Sequence, residues 1–369
     1  MRPVWAEVNL ENIKHNFREV KRLSPNSEAM PVIKANAYGH GAVEVAKALK
    51  EEGAERFAVA IADEGIKLRE EGILEPILIL GYTPPEDLER LLSYNLTPTV
   101  NHRDLALAYQ ERVSKLKRTL TCHVKIDTGM GRIGFYHEDL TLILEVFKQK
   151  NLEIEGVFTH FARADEKDLS FTRLQFARFM AVLDYLKTQG IEIKYRHAAN
   201  SAAIIQFPEA HLDLVRPGIM LYGEYPSQEV VKNGLSLKPA LTLKATVAQV
   251  KKVPAGFPVS YGSTYVSKDQ CLIVTLPLGY ADGYFRLLSN RGEVLINGKR
   301  WPIAGRVCMD QLMVAVDEKE EIFPGDEAVL LGSQGEETIS ALEIARTVGT
   351  INYEVLTNIS ARVPRIYLK

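Results

Sequence analysis

Eight short strand-like segments follow one another over the first 216 residues, and this repetition constrains the fold more than any other feature. They read MPVIK, FAVA, PILIL, TPTV, TCHVKID, IEGVFTH, YRHAAN and LDLVR. Most are separated by stretches in which apolar residues recur every three or four positions and which close with glycine or asparagine, as amphipathic helices do. Repeated strand–helix units require parallel strands with right-handed crossovers, and eight of them match a closed (β/α)8 barrel of the TIM type. We therefore expect catalytic groups at the carboxyl ends of these strands.

The segments on either side of this repeat predict further structure. Residues 4–8 read as an extended segment with a pairing partner elsewhere, and an amphipathic helix with Ile13, Phe17 and Val20 on its apolar face follows them. Beyond about residue 220 the chain changes to short β-rich runs separated by glycine and proline turns. The sequence thus predicts an α/β chain with a barrel domain over residues 1–234 and a mostly β domain over residues 235–369.

Composition excludes several classes of function. The 369 residues are 46% hydrophobic and carry a formal net charge of -2 without a long block of either sign, which argues against a nucleic-acid or anionic-membrane partner and favours a small-molecule substrate. The N-terminus lacks the apolar run of a signal peptide, and no uncharged stretch approaches the length of a membrane span, so we expect a cytoplasmic protein. The three cysteines form neither a disulfide framework nor a metal-ligand spacing, and we expect no metal site.

Lys34 ends the first barrel segment, an unusual place for a charge. A barrel interior withdraws an ammonium group from water, lowers its pKa and makes the amine nucleophilic, so this position suits a Schiff-base lysine. A lysine paired with a carboxylate at the barrel rim explains the position equally well. Position alone leaves the two interpretations open.

A series of sequence strings favours the Schiff base. The string KANAYGHG, which contains Lys34, resembles the pyridoxal-phosphate signature of the alanine racemase family, the barrel-type class of these enzymes. The resemblance continues in order through nearly the whole chain with HVKIDTGMGRIG, GVFTHFARAD, HAANSAA, VRPGIMLYG, VSYGSTY, LPLGYADGY, GRVCMDQ and INYEV. It implies a pyridoxal-5'-phosphate-dependent isomerase that interconverts L- and D-alanine and supplies D-alanine for peptidoglycan.

The resemblance also implies the catalytic residues. Lys34 forms the Schiff base with the cofactor and acts as one of two bases, and Tyr261 of VSYGSTY acts as the second base, with Tyr265 as a nearby rival. An ordinary tyrosine is a poor base at neutral pH and needs neighbours that favour the phenolate. The resemblance assigns that support to Arg132 and His160, whose alternatives are a loop ion pair and a core histidine.

Cofactor-binding residues follow in the same way. The resemblance places Arg216 against the pyridine nitrogen, where a guanidinium can donate a hydrogen bond but cannot accept one. A ring held in this way is a weaker electron sink than a protonated one, which favours reprotonation at Cα over side reactions. The implied phosphate ligands lie where barrels commonly bind phosphate, together with two tyrosines: Ser201, Gly218, Ile219, Tyr38 and Tyr353.

The family further implies a homodimer in which the β domain of one chain completes the active site in the barrel of its partner. Met309 and Asp310 then recognise the substrate carboxylate together with Arg132, and Tyr280 narrows the entrance. Lys125 occupies a position that is carbamylated in some relatives, a modification that would orient Arg132. Ordinary packing within the β domain is the alternative for Tyr280.

Three other functions stay open at this stage. A racemase of the same family with a broader substrate range would share every string quoted above. A decarboxylase of the same architecture is disfavoured by Arg216, because those enzymes typically place a glutamate near the pyridine nitrogen. The third is a protein that binds pyridoxal phosphate without turnover. Proteins of that kind consist of the barrel only, so the β domain predicted over residues 235–369 argues against it.

Overall fold

A computed structural model of the chain describes residues 3–230 and 234–369. The chain divides into two compact units. The first, here called the barrel unit, comprises Asn12–Ala37 and Ala42–Lys238. The second, the β unit, comprises Met1–Glu11, Tyr38–Gly41 and Pro239–Lys369. Each unit is described by itself below.

The barrel unit contains the predicted ring of eight parallel strands. Hydrogen-bonded strand pairs and two parallel bridges, Val32 with Ala58 and Leu78 with Thr97, connect each strand to the next, and the last strand pairs with the first. The ring is therefore closed, which confirms the barrel. The strands, the first and fourth of which are extended by those bridges, are Glu28–Ala29, Phe57–Val59, Ile77–Ile79, Thr99–Val100, Leu120–Asp127, Leu152–Phe158, Tyr195–Asn200 and Leu214–Arg216, and Phe135–Tyr136 pairs with the fifth.

Helices connect most of the barrel strands, as the apolar periodicity predicts. In Ala42–Glu51 the buried residues Val45, Ala46 and Leu49 recur at helical spacing and face the interior. The other helices with such connecting roles are Ala62–Glu70, Leu88–Ser93, Arg103–Lys115, Leu140–Phe147, Ser170–Thr188 and Ser201–Gln206, with 3-10 turns at Pro85–Asp87, Pro208–Ala210 and Ile219–Tyr222.

The N-terminal segment leads from one unit to the other. The strand Val4–Asn9 pairs antiparallel with Leu241–Thr246 and parallel with Arg365–Leu368, so its hydrogen bonds belong to the β unit. The helix Leu10–Leu23 follows, and its residues Ile13, Phe17 and Val20 are fully buried, as their spacing predicts. Because the strand pairs in the β sheet, the observed division does not follow a single cut between residues 234 and 235.

In the described residues, the β unit is built from short, mostly antiparallel strands and two α-helices. Its remaining strands are Gln249–Val253, Pro258–Val259, Tyr265–Val266, Cys271–Leu276, Glu293–Ile296, Lys299–Pro302, Leu312–Asp317, Glu327–Gln334 and Glu337–Ile339. Two of its helices, Ala341–Val348 and Asn352–Asn358, are absent from the sequence prediction. The sequence does contain capping residues for the first of these helices. Ser340 precedes it, and its hydroxyl accepts a hydrogen bond from the Glu343 amide; Gly349 ends the helix at φ 79°.

No helix in the part of the chain that the structure describes is both long enough and apolar enough to cross a membrane.

Candidate active site

Lys34 opens a turn with an unusual backbone. Ala35, Asn36, Ala37 and Tyr38 follow it with φ between 50° and 55°, a left-handed conformation that costs a residue with a Cβ roughly 1–2 kcal/mol. One brace on this turn is Glu64, whose carboxylate accepts hydrogen bonds from the Ala35 amide at 2.6 Å and from the Ala60 amide at 2.8 Å. The turn is therefore a strained segment that its surroundings hold in place, as is common at functional sites.

The Lys34 amine lies in an environment that favours its neutral form. Burial lowers the pKa of Lys34, the positive charge of Arg132 lowers it further, and Glu64 acts in the opposite direction. A lysine that is neutral more often is a better nucleophile and a better proton acceptor. The structure does not favour the alternative interpretation of Lys34, an ion pair at the barrel rim. Glu64, the carboxylate that raises its pKa, binds backbone amides instead.

Arg132 is exposed at the tip of a loop that Asp127 organises. The Asp127 carboxylate ends the fifth barrel strand and accepts hydrogen bonds from the amides of Gly129, Met130, Gly131 and Arg132 at 2.9 to 3.2 Å. Burial acts to raise the pKa of Asp127, but these four amide donors hold it below its usual value. Sequence analysis did not single out Asp127, although an aspartate before a glycine-rich turn is a signal for such a loop.

His160 and Lys125 lie among cationic groups of the barrel. Burial lowers the pKa of His160 well below its usual value, and the charges of Arg216, Lys125, Arg132 and Lys34 add to the effect, so the imidazole is neutral at neutral pH. Burial likewise holds the pKa of Lys125 well below that of an ordinary lysine. The Lys125 Nζ has no hydrogen-bond partner among the described residues and lies 4.9 Å from the centre of the Phe158 ring.

Arg216 ends the eighth barrel strand and is 3% exposed. Its Nη2 donates to the carbonyls of Thr159 at 2.7 Å and Ala198 at 2.9 Å, and its Nη1 lies 2.8 Å from His197 Nδ1. Burial lowers the pKa of Arg216 to about 9, which still leaves the guanidinium protonated at neutral pH. Of its five N–H groups, the Nε–H and the second Nη1–H make no hydrogen bond within residues 3–230 and 234–369, so two donors are available for an acceptor.

Ser201, Gly218 and Ile219 come together after the seventh and eighth strands. The buried Ser201 hydroxyl accepts a hydrogen bond from the Gly218 amide at 2.9 Å, which leaves its own proton free to be donated. The Ile219 amide opens the turn Ile219–Tyr222, and amides of a first turn lack acceptors within the turn. This donor set suits an anion such as phosphate.

In the β unit, Tyr261 is presented by a strained hairpin. The strands Pro258–Val259 and Tyr265–Val266 flank it, and Ser260 and Gly262 adopt φ of 65° and 71° on either side. The Ser260 hydroxyl donates to the Arg306 carbonyl at 2.7 Å, which ties the hairpin to the GRVCMDQ segment. The Tyr261 side chain is 71% exposed, whereas its rival Tyr265 packs against a buried apolar cluster.

Tyr280, Met309 and Asp310 are brought together in the same unit. The amide of Tyr280 donates to the Cys308 carbonyl at 3.0 Å, and the Arg362 guanidinium donates to the Asp310 carboxylate at 2.8 Å. Gly279 permits the approach, because a Cβ at that position would lie 2.1 Å from the Cys308 carbonyl oxygen. The three side chains themselves remain exposed.

The remaining two predicted residues, Tyr38 and Tyr353, also belong to the β unit, with ring centroids 6.2 Å apart. Burial raises the pKa of Tyr38, so its hydroxyl keeps its proton and can serve as a hydrogen-bond donor. No group of three or more histidine, cysteine, aspartate or glutamate side chains is arranged to hold a metal ion within the residues that the structure describes.

Comparison with known proteins covers nearly the whole chain. Residues 8–226 match the family model "Alanine racemase, N-terminal domain", and residues 240–367 match "Alanine racemase, C-terminal domain". A curated alanine racemase of Carboxydothermus hydrogenoformans is 77% identical over 368 residues, which is 100% of both chains.

Solved structures agree with this. The alanine racemase of Bacillus anthracis with bound L-Ala-P is 42% identical, with a TM-score of 0.95, over 100% of this chain and 96% of that one. A histidine racemase of Leuconostoc mesenteroides is 31% identical, with a TM-score of 0.92, over 100% of this chain and 98% of that one. Racemases named for different amino acids therefore share this architecture.

Proposed function

This chain belongs to the alanine racemase family, and we propose that it interconverts L-alanine and D-alanine with pyridoxal phosphate, using Lys34 and Tyr261 as bases on opposite faces of the substrate. One observation carries the proposal: the barrel unit contains both Lys34, whose pKa is lowered by burial, and the buried Arg216, which has two unused N–H donors. The supply of D-alanine for peptidoglycan in the cytoplasm is the matching cellular role.

The residues present fit the cofactor. Pyridoxal phosphate, when bound, supplies an aldehyde that condenses with an amine and a conjugated ring that stabilises negative charge on the substrate Cα. Lys34 offers the amine, and Arg216 offers N–H donors to the ring nitrogen. The phosphate calls for several donors, which this chain offers at Ser201, Gly218, Ile219, Tyr38 and Tyr353.

Proton transfer falls to the chain's own side chains. Lys34 accepts and returns the Cα proton on one face, and its lowered pKa makes it a better base at neutral pH. Tyr261 does the same on the other face. Arg132 and His160 support the tyrosine, and a neutral His160 accepts a hydrogen bond without adding another positive charge. Arg216 stays protonated at neutral pH, so it donates to the ring nitrogen without giving up its proton.

We infer that two chains build each site. The exposed side chains of Tyr261, Tyr280 and Met309 have little to act on within the β unit, which supports a homodimer in which they face the barrel of a partner. There the Met309 amide and the Asp310 side chain contribute with Arg132 to recognising the substrate carboxylate, and Tyr280 narrows the entrance.

Carbamylation of Lys125 is a further part of the proposal. A neutral amine adds carbon dioxide and releases one proton, and both the low pKa and the missing hydrogen-bond partner of the Lys125 Nζ suit that reaction. The resulting anion would lie near Arg132, whose charge acts on Lys125. We expect a carbamate signal in 13C NMR of protein equilibrated with 13CO2 that is lost in Lys125→Ala; an identical spectrum for the two proteins would remove this modification.

The direct test is conversion of L-alanine to D-alanine by the purified protein with pyridoxal phosphate. Histidine, serine, lysine and arginine belong in the same assay, because the histidine racemase of similar structure keeps a broader or shifted substrate range open. A hydrophobic pocket distinguishes one methylene by only about 1–3 kcal/mol. Alanine turning over fastest supports the proposal, and a protein that binds cofactor without exchanging the Cα hydrogen of any of these amino acids would contradict it.

A further inference from the structure

A chain of buried hydrogen bonds leads from Arg216 through two histidines to a carboxylate. Arg216 Nη1 lies 2.8 Å from His197 Nδ1, His197 Nε2 lies 2.9 Å from His123 Nδ1, and His123 Nε2 lies 3.2 Å from Glu155 Oε1. The four residues come from the eighth, seventh, fifth and sixth barrel strands. Arg216 and both histidines are at most 3% exposed, and the Glu155 side chain is 19% exposed.

The donor at one end of this chain, Arg216, and the acceptor at the other end, Glu155, require the same direction for every bond between them. A guanidinium only donates, so His197 Nδ1 accepts and the proton of that imidazole is on Nε2. His197 Nε2–H then donates to His123 Nδ1, which places the His123 proton on Nε2, facing the Glu155 carboxylate. Burial holds the pKa of both histidines below the usual value, with the charge of Arg216 acting in the same direction. Both rings are therefore neutral, and each has one tautomer.

Glu155 is the acceptor that fixes this order. If it were absent, His123 could carry its proton on Nδ1 and present it to His197, whose own proton would then move to Nδ1. That proton would point at the Arg216 Nη1–H, and a donor facing a donor loses the hydrogen bond. The other hydrogen bonds of Arg216 go to the neutral carbonyls of Thr159 and Ala198, and no carboxylate of the described residues binds it directly.

Other charged groups near Glu155 do not replace it. Arg56 pairs with Glu28 and stacks over the Tyr195 ring, and its charge lowers the pKa of both Glu155 and His123. Lys194 also lies over the Tyr195 ring, and its charge likewise lowers the pKa of Glu155. Cations can hold Glu155 ionised, but they cannot accept the His123 proton.

We propose that Glu155 is a positioning residue for Arg216, acting through the tautomers of His123 and His197, so that the guanidinium is fixed with its Nε–H and second Nη1–H left for the ring nitrogen. The part that concerns the ring nitrogen rests on the proposed function. The fixed tautomers of the two histidines are a property of this chain alone.

Two substitutions at position 155 separate the acceptor from the charge. Glu155→Gln removes the charge but keeps a carbonyl oxygen for the His123 proton, whereas Glu155→Met keeps the approximate size and removes the acceptor. Glu153→Gln is the matched control, because Glu153 lies two residues earlier on the same strand and hydrogen-bonds to Thr121 instead.

The first readout is 15N NMR of the histidine rings in the full-length protein, with signals assigned by their loss in His123→Asn and His197→Asn. We expect unprotonated Nδ1 and protonated Nε2 in both rings for the unsubstituted protein, Glu155→Gln and Glu153→Gln, and a change of tautomer in Glu155→Met. A protonated His197 Nδ1 in the unsubstituted protein would overturn the proposal, and this result needs neither cofactor nor variant.

The second readout is the holoenzyme with 15N-labelled pyridoxal phosphate. In Glu155→Met we expect a shifted ring-nitrogen signal and an about tenfold fall in kcat with little change in KM, and in Glu155→Gln a signal and kcat close to those of the control. Equal loss in both variants would mean that the charge matters and not the acceptor, which also overturns the proposal. Failure of the unsubstituted protein to racemise any amino acid would contradict the proposed function instead. The tautomers of His123 and His197 would then be decided by the 15N NMR of the histidine rings alone.

Discussion

Most candidate site residues of the barrel unit are buried, whereas most of those in the β unit are exposed. In the barrel unit Arg216 and Lys125 are each 3% exposed, whereas Tyr261 and Met309 in the β unit are 71% and 53% exposed. The barrel holds its groups in an enclosed polar environment that shifts their pKa values. The β unit holds its groups on loops that are fixed through the backbone.

This difference indicates that the two units contribute different parts of the reaction. Burial and fixed hydrogen bonds give the barrel groups defined protonation states, which suits cofactor binding and the electrostatics of the reaction. The side chains of the β unit have positions fixed by Ser260, Gly279 and Arg362 but lack a surface to act on within their unit. We therefore expect barrel substitutions to abolish the chemistry as a whole, and substitutions in the β unit to remove one part of it.

Lys34→Ala tests the barrel side and has the largest expected effect. In the proposed function, loss of the amine removes both the attachment point of the cofactor and one base, so D-alanine formation should fall by about 10⁴-fold or more. The visible absorbance of the cofactor bound to the protein should change at the same time. Lys187→Ala, at an exposed helix position, is the control and should behave like the unsubstituted protein. Near-normal turnover in Lys34→Ala would rule out its assigned role.

Tyr261→Phe tests the β side. Net racemisation should fall by about 10²- to 10⁴-fold, and equally in both directions, because an enzyme cannot alter the equilibrium constant. The loss of a single base is instead visible in exchange of the Cα hydrogen with D2O, which should persist for one enantiomer of alanine and largely disappear for the other.

Tyr265→Phe is the matched control for that experiment, because the Tyr265 ring packs against a buried apolar cluster of the β unit. It should retain exchange of both enantiomers. If Tyr265→Phe produced the one-sided loss and Tyr261→Phe did not, the second base would move to Tyr265.

Acidification should destabilise the barrel unit before the carboxylates titrate. Burial depresses the folded-state pKa of His123, His160 and His197, so below an unfolded pKa of about 6.5 the unfolded chain binds more protons than the folded chain. Stability is then present above that pH and is lost as pH falls, by up to roughly 1.4 kcal/mol per pH unit for each histidine that stays neutral. Urea unfolding at pH 7.5, 6.5 and 5.5 measures this, and a free energy of unfolding that does not change over that range would contradict the neutral histidines.

The strained turn after Lys34 predicts the smallest effect. Ala35→Gly should stabilise the protein by about 0.5–1 kcal/mol, because glycine adopts φ near 51° without the Cβ penalty. The same substitution in a right-handed helix, Ala108→Gly in Arg103–Lys115, should destabilise it by a similar amount. If both substitutions lowered the free energy of unfolding in urea, the left-handed turn would carry no such strain.

The sequence predicts the periodic parts of this molecule and misses the parts that depend on tertiary contacts. The eight barrel strands and the helix Leu10–Leu23 follow from apolar spacing, and the sequence predicts the strand Val4–Asn9 as an extended segment but does not identify its partner. The turn after Lys34 could not be foreseen, since Ala-Asn-Ala-Tyr contains no glycine and the conformation depends on contacts such as that of Glu64.

The site shows the same limit. Motif strings single out Arg216 and His160, but the hydrogen-bond chain through His197 and His123 to Glu155 joins residues that lie 19 to 74 positions apart in the sequence. The available signal is faint: Thr121, His123, Lys125 and Asp127 alternate with apolar residues along one strand, and polar side chains inside a barrel require partners.

The most direct test of the central claim, that Lys34 of one chain works with Tyr261 of another, is to mix the two inactive variants Lys34→Ala and Tyr261→Phe under conditions that exchange subunits. Each hybrid dimer then contains one site with both residues intact. Random exchange should restore about a quarter of the unsubstituted activity, while neither variant alone recovers any. If the mixture stays as inactive as its components, the two residues do not meet across a dimer and the account is contradicted.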